Sequence, residues 1–99
     1  MIKKAKPVKG MSKVTFVLSK EIVGAAKKAN LVGEFNNWSL VADAMTKQKD
    51  GSFSVTKSLA TGKDYQFRYI IDGERWENDC CADKYEKNEF GSENSVVAL

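Results

Sequence analysis

The residues best equipped for chemistry in this chain are two indoles, Trp38 and Trp76, one arginine in an aromatic run, Arg68, and two adjacent thiols, Cys80 and Cys81. An indole face carries the negative end of a ring quadrupole, and it stacks well on polarised C–H groups such as those of a pyranose ring. Trp38 follows Asn36-Asn37, where a strand pattern stops, so it either plugs the end of a core or stands open as a platform. Arg68 is either an ordinary solvent-facing strand residue or a forked donor for paired hydroxyls. The thiols have no basic partner. The chain contains no histidine, which removes the commonest general base and the commonest neutral metal ligand. Nucleophilic catalysis therefore lacks its second member.

Other enzyme chemistry is equally thin. A carboxylate pair could be drawn from Asp79 and Asp83, or from Glu77 and Asp79, but acids in a loop are usually solvated and these are expected to be so. The same cluster, with Asp72 and Glu74, does not follow the spacing of a calcium loop. Gly10 and Gly24 are too far apart to cradle a phosphate. A bridge between neighbouring cysteines is a strained ring and there is no third cysteine, so Cys80 and Cys81 are expected as reduced thiols. They support neither a disulfide scaffold nor a four-ligand zinc site. The expectation is a protein that is not an enzyme and carries no cofactor or metal.

The elements that position these residues read as all-β. The 99 residues fit one domain. Val14, Phe16 and Leu18 alternate with Lys13, Thr15 and Val17 in a first half-buried strand, and Ala29, Leu31, Gly33 and Phe35 alternate along a second. Phe53, Val55 and Leu59 share one face of a third strand, and Tyr65, Phe67, Tyr69 and Ile71 share one face of a fourth, leaving Gln66, Arg68 and Ile70 on the other. Val96 to Leu99 close the chain. Turn signals at Asp50-Gly51, Thr61-Gly62 and Asp72-Gly73 recur at the spacing of a sandwich or barrel, with a sandwich preferred. Residues 20–27 look like a connection, and residues 1–11 like a flexible basic leader ahead of a domain at 12–99.

The face of Trp76 depends on the turn before it. A two-residue turn at Asp72-Gly73 pairs Trp76 with Tyr69 and buries it. A three-residue turn, Asp72 to Glu74, pairs it with Ile70 and sets it beside Arg68, since a slip of one residue flips a side chain to the opposite face. The longer turn is favoured, because only then does an aromatic platform form on Arg68's face.

The segments Leu31-Val32-Gly33-Glu34-Phe35-Asn36-Asn37-Trp38, Asp50-Gly51-x-Phe53 and Tyr65-x-Phe67-Arg68-Tyr69-x-Ile71-Asp72-Gly73 together resemble the family-48 carbohydrate-binding modules. That group includes the glycogen-binding domain of the AMP-activated protein kinase β subunit and the N-terminal early-set domains of isoamylases and branching enzymes. The resemblance runs from about Val14 to the last residue. It implies an immunoglobulin-like, early-set β-sandwich with an α-glucan site and two tryptophan platforms, here Trp38 and Trp76. Arg68 stands where the kinase-subunit domains carry lysine. A late loop, Phe90-Gly91-Ser92-Glu93-Asn94, matches the rest of the family's site. There Phe90 replaces an aliphatic sugar contact, Ser92 replaces a threonine, and Asn94 matches a sugar-bonding asparagine.

The resemblance implies noncatalytic binding of α-1,4-linked glucan, glycogen or starch-like, as polymer or maltooligosaccharide. A competing reading is a protein-interaction module that docks on a separate glycan-metabolising enzyme or kinase complex. Nucleic-acid binding through Lys3, Lys4, Lys6 and Lys9 carries little weight, because the leader has no interleaved aromatics. No apolar run approaches the ~18 residues of a membrane span and no secretory signal is visible, so a cytoplasmic location without membrane contact is expected.

Overall fold

Strands form where apolar and polar residues alternate, and also at edges where they do not. In the computed structural model, which describes residues 1–99, the chain runs through β1 (Ile2–Lys4), β2 (Met11–Leu18), a one-turn helix α1 (Lys20–Val23), β3 (Ala29–Gly33), β4 (Asp43–Ala44) and β5 (Thr46–Lys47). It continues as β6 (Phe53–Ala60), β7 (Asp64–Ile71), β8 (Arg75–Glu77), β9 (Lys84–Lys87) and β10 (Glu93–Ala98). One antiparallel sheet has the order β1-β2-β6-β5. The other has the order β4-β3-β7-β10-β9, with β8 pairing the far end of β7. The fold is an all-β sandwich.

The core lies between the sheets. Phe16 of β2 meets Phe67 of β7 edge-on with ring centroids 5.0 Å apart, and Phe67 meets Tyr69 edge-on at 5.6 Å. Such pairs contribute about 0.5–1.5 kcal/mol each beyond the apolar area they bury. Val14, Leu18, Leu31, Phe53, Leu59, Ile71 and Val97 belong to the same buried cluster. A radius of gyration of 12.9 Å is that of one domain of this length.

Three local readings change. Part of the segment expected to be a flexible leader is a strand: Ile2, Lys3 and Lys4 pair with Phe16, Thr15 and Val14. An edge strand is held by its backbone ladder, so it needs no side-chain alternation to announce it. The strand through Leu31 stops at Gly33 rather than continuing to Asn36, because Glu34–Asn36 form a single 3-10 turn. Phe35 still packs on Phe16, at 5.7 Å. The closing strand starts at Glu93, which places Asn94 in a strand instead of a loop. Opposite it lies β9, whose four residues are all exposed and therefore carry no apolar pattern.

Candidate functional site

The site begins with the alternation of β7. Tyr65, Phe67, Tyr69 and Ile71 face the core, so Gln66, Arg68 and Ile70 face outward. Register gives each outward residue a neighbour: Gln66 lies opposite Val96, Arg68 opposite Val32, and Ile70 opposite Trp76. Val32, Ile70 and Val96 are buried yet stand outside the core cluster. They make a small apolar floor on the outer face of the sheet.

Trp76 reaches this face through the turn before it. Ile71 pairs with Arg75, so Asp72, Gly73 and Glu74 are the three residues of the turn. Asp72 adopts a φ of 52°, a left-handed conformation that is tolerated by Asp. Its carboxylate accepts the backbone N–H groups of Lys27 and Lys28 at 2.9 and 3.0 Å. The bonds from Lys28 and Lys27 hold its pKa below the ordinary carboxylate value. The longer turn sets Trp76 beside Arg68, with the guanidinium carbon 5.4 Å from the ring centroid. That is cation–π range.

Trp38 is placed by a tightly bonded corner. Gly33 approaches β7 so closely that a Cβ there would lie 2.8 Å from the Gln66 carbonyl oxygen and 2.9 Å from the Phe67 Cβ, so only glycine fits. The Glu34 carboxylate accepts the Gln66 N–H at 2.6 Å and ties the corner to the same strand. Asn36 Oδ1 accepts the Gly33 N–H, while its Nδ2 donates to the Leu31 carbonyl at 3.0 Å and to Asp43 at 2.6 Å. Lys57 clamps both oxygens of Asp43 at 3.0 and 2.9 Å. Asn37 and Trp38 then take consecutive left-handed conformations, with φ of 56° and 59°. For a tryptophan this costs about 1–2 kcal/mol, and the bond from the Trp38 N–H to the Gly33 carbonyl at 2.9 Å holds it there. The strained backbone leaves the indole 39% exposed.

The third side is the turn from β9 to β10. Asn88 Oδ1 accepts the N–H groups of Phe90 and Ser92 at 2.9 and 3.2 Å, an Asx turn that lifts Phe90 to 85% exposure. Asn88 Nδ2 donates to Asn94 Oδ1 at 3.2 Å, and Asn94 Nδ2 donates to Gln66 Oε1 at 3.0 Å. This amide chain crosses from the turn to β7. Each group of Asn94 retains capacity for one further bond.

Together these sides enclose an open cleft of about 770 Å³. Trp38, Leu40, Trp76 and Phe90 form its apolar walls, and Gln66, Arg68, Asn88, Glu89 and Asn94 supply its polar lining. Arg68 Nε is buried and has no partner. The structure thus brings together five of the six residues expected from the sequence: Trp38, Arg68, Trp76, Phe90 and Asn94. Ser92 does not line the cleft; its backbone N–H is turned into the Asx turn.

Residues 21–99 match the family described as the glycogen recognition site of AMP-activated protein kinase. The chain belongs to that family. The matched span starts inside α1, so β1 and β2 precede it, and every residue lining the cleft lies within it. Among curated proteins, none matches the chain. In this member of the glycogen-recognition family, sequence reasoning missed Leu40, Gln66, Asn88 and Glu89 as cleft residues, although alternation had placed Gln66 on the outer face. Asn88 had a signal: an asparagine two residues before Phe90-Gly91 is an Asx-turn pattern. Leu40, two residues beyond Trp38, had none.

Asp79 corrects a further expectation. A loop acid is expected to be solvated, but Asp79 is 2% exposed. Its Oδ2 accepts the Tyr69 hydroxyl at 2.6 Å and the Met1 ammonium at 2.7 Å, and its Oδ1 accepts the Cys81 N–H at 2.8 Å. Three donors, two of them from other parts of the fold and one from two residues along the same turn, offset the cost of burying the charge. Burial, reinforced by the Asp79 charge, pushes the Tyr69 hydroxyl well above its ordinary pKa, so it remains a donor.

Proposed function

We propose that this domain binds α-1,4-linked glucans of the glycogen and starch type and does no chemistry on them. Glucose units stack on Trp38 and Trp76, while Arg68 and Asn94, helped by Gln66, bond hydroxyls at the ring edges. The observation that carries this reading is that two half-exposed indoles, 39% and 41%, line one cleft with an arginine whose Nε lacks a partner. Membership of a glycogen-recognition family supports the same substrate class.

The lining also argues for binding over catalysis. Glu89 is the single carboxylate in it, and it contains no histidine or cysteine. Glycoside hydrolysis ordinarily needs two carboxyl groups flanking the bond. Sugar hydroxyls are well hydrated, so exchanging water for protein gains little per hydrogen bond. An open cleft of this kind fits a Kd on the order of 10 μM to 1 mM.

The test is retention on glycogen in gel electrophoresis, with isothermal titration of a maltooligosaccharide, for Trp38→Ala and Trp76→Ala. Each is expected to weaken binding at least about tenfold, a loss of about 1.4 kcal/mol, with the thermal midpoint little changed. Retention equal to wild type in both variants would remove stacking from the proposal.

A further inference from the structure

We infer that Cys80, Cys81 and Asp79 form a binding site for a thiophilic divalent cation of the zinc and cadmium class. The two thiols are adjacent in the turn between β8 and β9, with Sγ atoms 3.0 Å apart. Both are exposed, and the chain holds no other cysteine to claim either one. A carboxylate oxygen of Asp79 and the two sulfurs all lie within 4.8 Å of one another. None of the three lines the aromatic cleft, so this is a separate site.

The donor set is held ready. Asp79 Oδ2 is saturated by Tyr69 and the Met1 ammonium, but Oδ1 accepts only the Cys81 N–H and keeps a second lone pair. The turn is pinned to the sheet by the Asp79 N–H on Ser95 Oγ at 2.8 Å, and by the Tyr85 hydroxyl on the Asp79 carbonyl at 2.6 Å. Little backbone ordering is therefore left for a ligand to impose.

Thiolate donors favour zinc and its heavier relatives over magnesium or calcium. Zinc–sulfur bonds near 2.3 Å at a tetrahedral angle set the sulfurs roughly 3.8 Å apart. Two exposed side chains reach that spacing by small rotations. Binding forms two metal–sulfur bonds and releases two thiol protons to solvent. The carboxylate supplies a third donor and water a fourth. No electron transfer is involved.

The test is a titration of the full chain, kept reduced with a phosphine, with Cd²⁺. It is followed by thiolate-to-cadmium charge-transfer absorption and by native mass spectrometry. The expected result is one ion per chain, displaced by Zn²⁺ and unaffected by a large excess of Mg²⁺. Cys80→Ser and Cys81→Ser should each bind at least about tenfold more weakly. The double variant should lose the band while its circular dichroism stays that of wild type. X-ray absorption of the zinc-loaded chain should count two sulfurs and two lighter donors. No absorption band, a band that survives in the double variant, or one ion shared by four sulfurs of two chains would each overturn the site.

Discussion

The guanidinium of Arg68 lies over the indole of Trp76 at 5.4 Å, although the two residues belong to different strands joined by a three-residue turn. The contact orients both partners at once: the indole is held beside the arginine, and the arginine is drawn along the outer sheet face. None of the ion pairs in the fold involves Arg68, and its buried Nε has no acceptor. A buried donor left without a partner is a cost in the free protein, and in the proposed complex a sugar hydroxyl would relieve it.

Arg68→Ala should therefore weaken maltooligosaccharide binding about five- to tenfold, an effect of about 1–1.4 kcal/mol, while leaving the urea midpoint close to wild type. Arg68→Lys should fall between the two, because lysine keeps the charge without the fork. Calorimetric titration of the three proteins measures this order. A lysine variant as weak as alanine would assign the effect to the planar fork alone.

The turn from β9 to β10 offers a contrast between neighbours. Phe90 lines the cleft and is almost fully solvent-facing, whereas Ser92 does not line it. Phe90→Ala should weaken glycogen retention severalfold with no change in thermal midpoint. Ser92→Ala should bind as wild type does. Equal losses from both would mean that the turn closes on the ligand in a way that brings Ser92 into contact.

Gly33→Ala tests the corner that carries Trp38. An added Cβ meets the Gln66 carbonyl oxygen and the Phe67 Cβ, both fixed in β7, below 3.0 Å. Overpacking of this kind costs about 1–3 kcal/mol. The variant should lose stability in urea and also bind glycogen less well, because the Gly33 carbonyl holds the Trp38 N–H. Full binding in a destabilised protein would show that the indole is held without that bond.

Acid stability should follow the turn aspartates. The backbone N–H groups of Lys28 and Lys27 depress the pKa of Asp72, and the Ser52 hydroxyl and N–H depress that of Asp50. A depressed folded-state pKa contributes stability that is present above the unfolded value of about 3.9 and lost as pH falls through the lower folded value. The urea midpoint should therefore hold between neutral pH and about pH 5 and decline below about pH 4. Asp72→Asn, which keeps an acceptor and tolerates the positive φ, should show a shallower acid decline. An unchanged slope would place the acid sensitivity elsewhere.

Much of this molecule could be read from residue order. The inward aromatics of β2, β6 and β7 follow from strict alternation, and the turns at Asp50-Gly51 and Asp72-Gly73 from residues that accept positive φ. Those local rules place Gln66, Arg68 and Ile70 on the outer face without any coordinates. Residue order left two registers for Trp76 and two roles for Trp38. It carried no sign of β1 or β9, which lie at sheet edges and depend on backbone bonds rather than apolar pattern.

Residue order by itself determined which side chains of each strand share a face, because that depends only on a period of two along the chain. Tertiary structure decided which faces meet: that Trp38, Trp76 and Phe90 line one cleft with Arg68, that Asn94 is reached through Asn88 and Gln66, and that Asp79 is buried. Those outcomes depend on contacts between residues in different parts of the fold, such as Met1 and Tyr69 around the Asp79 carboxylate. No local rule fixes a distance that only the closing of two sheets sets.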